Sequence, residues 1–298
     1  MRNSITYRQG VALIIAAGIL WSLMGLLIRL VGDATTWQVL FYRSLGMVPV
    51  LLIALTIRTG GHPVSSIARS GMTGLIGGIS LIGAFAGAIF AIQSTTVANA
   101  VFLFSVTPLL SALLGWLVLG ERVRATTWIA IAIALAGIFL MVREGLSLGA
   151  GRGNLAALFS AACFAVFTVL TRWRNMPDAT PAILIGAVLS AAVAAAMIGL
   201  RGDGFTLPLQ SILIAMCMGA VILGLGLSIF ALGGRVVPAA EMSLLALLEV
   251  LLGPVWVWLF LGETASAATL VGGAVVLAAI VFNTLAGQRR TSVVTAPP

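Results

Sequence analysis

Ten long apolar runs, separated by short polar or glycine- and proline-containing breaks, fill the whole chain. Each run holds about 17 to 24 residues, enough for an α-helix to cross a hydrocarbon core roughly 30 Å thick. The pattern predicts helices at about 10–30, 37–57, 71–92, 97–119, 126–142, 153–171, 181–200, 210–232, 238–261 and 267–286. The breaks leave no room for a soluble domain, so we predict an all-α polytopic membrane protein.

The composition agrees with this pattern. Of the 298 residues, 61% are hydrophobic and 8% are charged, whereas an average soluble domain carries about 25% charged residues. The sequence therefore excludes a soluble enzyme. The 16 basic residues are all arginines, and they occur singly or in pairs near the ends of apolar runs. No basic block of the kind that binds nucleic acid occurs, so we expect a lipid bilayer as partner and no nucleic acid.

The arginines also predict an orientation, because cytoplasmic ends carry the excess of positive charge. With the N-terminus inside, the cytoplasmic set has eleven members: Arg2, Arg8, Arg58, Arg69, Arg122, Arg124, Arg172, Arg174, Arg235, Arg289 and Arg290. The opposite set has five: Arg29, Arg43, Arg143, Arg152 and Arg201. Both termini are thus expected in the cytoplasm, with the first run kept as an uncleaved span.

An internal repeat divides the chain. The segment Leu117 to Glu121 closes the fourth run and Leu259 to Glu263 closes the ninth, both with the ending Leu-Gly-Glu and 142 residues apart. Near the start of each half, Arg29 and Arg172 lie 143 residues apart. The register predicts two five-helix repeats, 10–142 and 153–286. Because five is odd, the second repeat enters the membrane upside down, an architecture typical of transporters.

Two glutamates lie inside the ninth run. A charge at mid-bilayer costs about 2.5 to 3.5 kcal/mol on insertion scales, so Glu249, near the centre of its span, is a functional candidate. Glu249 either faces a water-filled cavity, where it binds a cation or a proton, or it serves packing as a protonated or hydrogen-bonded side chain. Glu241 lies two turns earlier and either shares that cavity or caps the helix end.

Other candidates come from polar and aromatic positions that match in the repeat. Asn99 aligns with Glu241 and Thr107 with Glu249, while Trp21 aligns with Phe164. Each has a simpler interpretation, as a helix cap or a space-filling side chain. The full set of cavity candidates is Trp21, Ser22, Gln93, Asn99, Phe102, Phe164, Glu241, Ser243 and Glu249. Prolines inside spans, Pro108 and Pro254, predict kinks near this set.

Intramembrane enzymes fit the sequence poorly. The single histidine, His62, lies in a loop, and the aspartates Asp33, Asp178 and Asp203 all lie in connections. A serine–histidine pair, an aspartyl site or a histidine-rich metal site cannot form within the spans. We therefore expect no enzyme, no metal and no cofactor. A passive channel stays open as an alternative, although no ring of charges is visible.

Several segments resemble a known family. They are Phe41 to Leu45, Thr107 to Leu110, Leu119 to Arg122, Ala136 to Ile138 and, in the second half, Leu248 to Val250 and Leu261 to Thr264. They resemble the repeated EamA pattern of the drug/metabolite transporter superfamily, and the chain looks most like the YddG-type exporters of aromatic and related neutral amino acids. The resemblance implies a central cavity between inverted repeats, cytoplasmic termini and alternating access. The second half has no equivalent of Arg43, and the proline that the family places after the Glu249 position is Val250 here.

Together these features predict an inner-membrane carrier that exports a small metabolite, most simply an aromatic or other neutral amino acid. Helices 1, 3, 4, 6, 8 and 9 are expected to enclose its cavity. Trp21, Phe102 and Phe164 are expected to hold the side chain, and the polar candidates to meet the ammonium and carboxylate groups. Two alternatives stay open: export of toxic lipophilic cations or drugs, and a passive channel. The sequence leaves monomer or dimer undecided.

Overall fold

The computed structural model describes residues 5–121, 123–147, 149–173 and 178–294, with side chains at 145–147, 239, 240, 243 and 287–294 excepted. Ten helical spans occupy these ranges. They are α1 (Tyr7–Leu30), α2 (Thr36–Arg58), α3 (Pro63–Ser94), α4 (Val97–Leu119), α5 (Ala125–Ser147), α6 (Gly151–Trp173), α7 (Thr180–Arg201), α8 (Leu209–Gly233), α9 (Ala239–Leu261) and α10 (Ala267–Val294). All ten contain a stretch long and apolar enough to cross a membrane, which confirms the all-α polytopic fold.

The helix α3 begins well before its apolar run. The prediction started α3 at residue 71, whereas the helix starts at Pro63. The residues from Ser65 to Ser70 are largely small or polar, so they carry no membrane-spanning signal. At Gly71 the backbone leaves helical geometry (φ 53°, ψ −147°), so a short leading helix meets the spanning part at that point. The apolar run thus located the spanning part alone.

The ending Leu-Gly-Glu has a structural role in both halves. Gly120 and Gly262 terminate α4 and α9 in the left-handed conformation, with φ of +66° and +67°. Only glycine adopts this conformation without steric cost, which makes it the common residue at such helix ends. The chain reverses at the glycine, so the glutamate that follows it lies at one end of the helix bundle.

Besides α3, three of the described spans are interrupted. In α1 the helix breaks at Leu23, and in α4 it breaks between Phe104 and Thr107, just before Pro108. In α8 the middle segment Met218–Leu225 is a π-helix, a form that often occurs at functional sites. By contrast, α9 stays one helix through Pro254.

The packing of the helices is symmetric between the two halves. The main contacts join α3 to α6 and α7, α8 to α1 and α2, α1 to α9, α4 to α6, α2 to α7, and α5 to α10. Exchanging each helix of the first half with its counterpart in the second half converts this set of contacts into itself. Since successive spans alternate in direction, α1 and α6 run oppositely, and the symmetry is that of inverted repeats.

Glycines bring the helix backbones into direct contact. A side chain at Gly219 would overlap the carbonyl oxygen of Arg43, and one at Gly46 would overlap the carbonyl of Met216. The π-helical part of α8 therefore lies backbone against backbone on α2. In lipid no hydrophobic force drives helices together, so close contacts of this kind supply much of their association.

We expect Gly219→Ala to destabilise the protein, because the added methyl group must push α8 away from α2. Overpacking of this kind costs about 1 to 3 kcal/mol. Gly199→Ala in α7 is the matched control, since no atom lies within 4 Å of the position of its added carbon. Thermal unfolding of the purified variants in detergent measures the difference. Equal melting temperatures for the two variants would contradict the close packing.

Candidate functional site: a central cavity and its two ends

A cavity of about 350 Å³ lies between the two halves. Its wall combines residues of α1, α2, α3, α4, α6, α7, α8 and α9. The six helices expected from the sequence all contribute, and α2 and α7 each add one side chain. The pair α5 and α10 packs on itself outside this ring. The cavity thus occupies the interface that the two repeats share.

The cavity wall is mainly apolar and aromatic. Trp21 and Phe164, which match in the repeat register, both line it. Phe167 continues the surface 5.7 Å from Phe164, centroid to centroid. Trp21 packs on Phe230 at 5.0 Å, and its indole N–H is buried without a hydrogen-bond partner among the described residues. Aromatic walls with few polar groups are typical of sites for small organic molecules.

Glu249 and Ser22 also line the cavity, but in different states. The Glu249 carboxylate has no hydrogen bond or ion pair with any described residue and is partly accessible from the cavity. The Ser22 hydroxyl is engaged: it donates to the carbonyl of Ile19 (2.7 Å) and accepts from the indole of Trp256 (2.8 Å). Glu249 is therefore the acidic group free to meet a ligand.

Arg43 is a charged cavity residue that is missing from the candidates chosen from the sequence. It is the eighth residue of α2, about 10 Å from the helix start, and only 3% of its surface is exposed. The charge count placed it near a membrane surface, and the structure corrects this placement. The rule that singled out Glu249 also applies to Arg43, because a charge inside a span costs about 2.5 to 3.5 kcal/mol.

Two candidates, Asn99 and Glu241, lie away from the cavity wall. Asn99 donates hydrogen bonds to Thr95 (3.0 Å) and to Asn154, which ties the start of α4 to the start of α6. Glu241 accepts a hydrogen bond from the hydroxyl of Tyr7, which ties the start of α9 to the start of α1. The two residues match in the repeat register, and their bonds join matching helices.

Three further candidates are placed elsewhere. The Gln93 amide accepts from Thr36 (2.6 Å) and donates to the carbonyl of Ala34 (2.9 Å), at one end of the bundle. Phe102 is buried against Gly273 of α10. Ser243 belongs to α9, but its side chain lies outside the described residues.

Ion pairs join the two halves at opposite ends. At one end, Arg29 of the first half contacts Glu263 of the second half (Nε to Oε2, 2.9 Å). At the other end, Arg172 of the second half contacts Glu121 of the first half (3.3 Å). The glutamates are those of the two Leu-Gly-Glu endings, and the arginines are the matched pair near the start of each half. Each repeat therefore supplies the carboxylate that holds the other.

The two pairs differ in their surroundings. The other Glu263 oxygen accepts the N–H of Val97 at the start of α4 (2.6 Å), and Arg29 also donates to the carbonyl of Thr95 (2.7 Å). At the opposite end, Arg172 donates to the carbonyl of Ser111 (3.0 Å). The Glu263 side chain is 19% exposed and that of Glu121 is 42% exposed. The ion pair at the Glu263 end is thus more buried and has more hydrogen bonds to the backbone.

A second cavity, of about 720 Å³, lies at the Glu263 end. Arg29, Asp33, Gln93 and Arg201 are among its polar lining residues. Ile28 lines both this outer cavity and the central one, and it is almost fully buried. Ile28 therefore forms part of the wall between the central cavity and the outer one.

Family comparisons agree with this architecture. A model of the EamA-like transporter family matches residues 8–143 and 151–285. The chain belongs to the EamA-like transporter family. It is therefore a membrane transporter of the drug/metabolite transporter superfamily, as the repeated motif indicated.

Two relatives are named as transporters, and neither name states a substrate. An uncharacterized transporter of Archaeoglobus fulgidus is 27% identical over 281 residues, which cover 92% of this chain and 96% of that protein. The uncharacterized transporter YwfM of Bacillus subtilis is 25% identical over 67% of this chain and 69% of its own length. A crystal structure aligns with 95% of this chain and all of its own chain at a TM-score of 0.67 and 19% identity, a likeness of fold alone.

The repeat supplies a matched pair of variants. We expect Glu263→Gln to destabilise the EamA-like transporter by about 1 to 3 kcal/mol, because the partly buried guanidinium of Arg29 loses its counter-charge and α4 loses a charged acceptor at its start. Glu121→Gln removes a more exposed pair, which contributes at most about 1 kcal/mol. Thermal unfolding in detergent compares them. A loss for Glu121→Gln that equals or exceeds that for Glu263→Gln would contradict the stronger contribution of the Glu263 pair.

Proposed function

We propose that this protein is an inner-membrane exporter of aromatic and other neutral amino acids that works by alternating access, with both termini in the cytoplasm. The observation that carries the proposal is the central cavity between the repeats 10–142 and 153–286. It combines an aromatic wall with a carboxylate, that of Glu249, that has no partner among the described residues. The aromatic wall suits a bulky apolar side chain, and Glu249 suits an ammonium group.

The two ion pairs support an alternating mechanism. In this structure Ile28 lies between the central cavity and the outer cavity, and at the same end the Arg29–Glu263 pair holds the start of α4. The Arg172–Glu121 pair occupies the symmetry-related position at the other end. Inverted repeats can exchange conformations, so that the arrangement now at one end forms at the other. A substrate shifts this equilibrium only by its difference in affinity for the two states.

Export of lipophilic cations is the second candidate function. Glu249 beside aromatic rings would attract an organic cation as well as an ammonium group. The two functions differ in whether a carboxylate on the ligand improves its transport. A counterflow assay with both kinds of ligand therefore separates them.

Counterflow in proteoliposomes tests the proposal. Vesicles loaded with unlabelled phenylalanine, methionine, lysine or a lipophilic dication are diluted into labelled phenylalanine. We expect transient accumulation of label with the neutral amino acids, because a carrier exchanges substrate across the membrane and a channel does not. Stimulation by the dication alone would support cation export, and label that equilibrates without overshoot would support a channel.

Two variants locate the transport step in the cavity. We expect Trp21→Ala to reduce phenylalanine counterflow about tenfold or more, because the substrate side chain loses an aromatic contact. Glu249→Gln is expected to impair exchange and to change its pH dependence. Trp258→Ala is the matched control, since its side chain lies on α9 with Glu249 but is 57% exposed on the outer surface. Wild-type exchange in Glu249→Gln at every pH would remove the carboxylate from the mechanism.

A further inference from the structure

The central cavity contains one positively charged side chain among its described lining residues, that of Arg43. None of the candidates chosen from the sequence is cationic, so none of them supplies a charge opposite to a ligand carboxylate. Trp21, Phe164 and Glu249 line the same cavity as Arg43. Arg43 is therefore the described cavity residue that can attract a negatively charged group of a ligand.

The guanidinium of Arg43 has unused hydrogen-bond donors. Its Nε and Nη2 atoms are buried and have no partner among the described residues. Every ion pair within 4.0 Å in the described part of the chain involves a different arginine, so Glu249 does not neutralise Arg43 directly. Buried polar groups in proteins are generally satisfied, and an orphaned guanidinium inside a span requires an explanation.

The surroundings hold Arg43 in place. The Phe85 ring lies 4.7 Å from the guanidinium carbon and covers one face of the group. The π-helical segment of α8 packs on the backbone of α2 at Arg43 itself, where Gly219 leaves no space for a side chain. The backbone of α2 is thus held against α8 at this turn, and the ring of Phe85 limits the positions open to the guanidinium. Such preorganisation lowers the cost of binding.

We propose that Arg43 binds the carboxylate of the transported molecule, so that the cavity selects ligands carrying a carboxylate group. This inference rests on the proposed function and adds the substrate class to it. The fork of Nε and Nη2 matches the two oxygens of a carboxylate. Glu249, in the same cavity, takes the ammonium group, and the aromatic wall takes the side chain. A lipophilic cation gains nothing from Arg43 and is repelled by it.

A series of phenylalanine analogues tests the carboxylate site on the wild-type protein. The probes are phenylalanine, 3-phenylpropionate, which lacks the amine, and 2-phenylethylamine and phenylalaninamide, which lack the carboxylate. Ligand-induced thermal stabilisation of the purified transporter gives apparent affinities, because a ligand that binds only the folded state raises its stability. We expect phenylalanine and 3-phenylpropionate to bind at least about tenfold more tightly than the two probes without a carboxylate.

Variants then assign the preference to Arg43. In Arg43→Gln the carboxylate preference is expected to disappear, whereas Arg43→Lys keeps the charge but loses the fork and should retain part of it. Arg69→Gln is the control, because Arg69 is exposed and bonds Ser65 within its own helix. Gel filtration and the melting temperature without ligand check folding. If Arg43→Gln does not fold, the analogue series and Arg43→Lys still decide.

The outcomes separate this inference from the proposed function. Amines that bind wild-type protein as tightly as phenylalanine, or an Arg43→Gln variant that keeps the full carboxylate preference, would overturn the carboxylate site even if phenylalanine counterflow occurs. Carboxylates that bind through Arg43 without any phenylalanine counterflow would support the site and overturn amino-acid transport. No stabilisation by either carboxylate would overturn the site.

Discussion

Lipid offers no hydrogen bonds, and this constraint underlies the structure. The backbone must satisfy its own polar groups, so the apolar runs can only be helices. Polar side chains then lie at helix ends, line the shared cavity, or bond to other helices or to the backbone of their own helix, as Ser80 and Thr168 do. Asn99, Glu241 and Gln93 are bonded near helix ends. Within the spans, Arg43 and Glu249 are the charged residues that line the central cavity.

The same constraint explains the exchanged ion pairs. Each half carries an arginine at the end of its first helix and a glutamate after the left-handed glycine that ends its fourth. Within its own half the arginine lies far from the glutamate, because the first and fourth helices of a half run in opposite directions and end on opposite sides of the membrane. The inverted arrangement of the second half then brings each arginine to the glutamate of the other half. Pairing between halves joins Arg29 to Glu263 and Arg172 to Glu121. The motif that identifies the repeat thus also holds the two repeats together.

The alignment of the two repeats identified pairs of equivalent residues, but it did not give the depth of each pair in the membrane. Thr107 and Glu249 match in the register and both line the cavity, as do Trp21 and Phe164. Asn99 and Glu241 match as well, but they lie two turns earlier, about 12 Å along the helix, where they join helix starts. The sequence indicated which residues are equivalent, and it gave no measure of which layer faces the cavity.

The sequence by itself determined the ten spans, the repeat and the transporter family, because hydrophobicity, chain length and the Leu-Gly-Glu endings are local properties that add along the chain. Only the tertiary structure decided which side of each helix faces the cavity. That rotation is set by contacts between helices, such as Gly219 on Arg43 and Phe102 on Gly273, which involve residues far apart in sequence. These contacts direct Trp21 and Glu249 into the cavity and Phe102 away from it. They also place Arg43 in the cavity wall, because α2 packs against α3 and α8 at that residue.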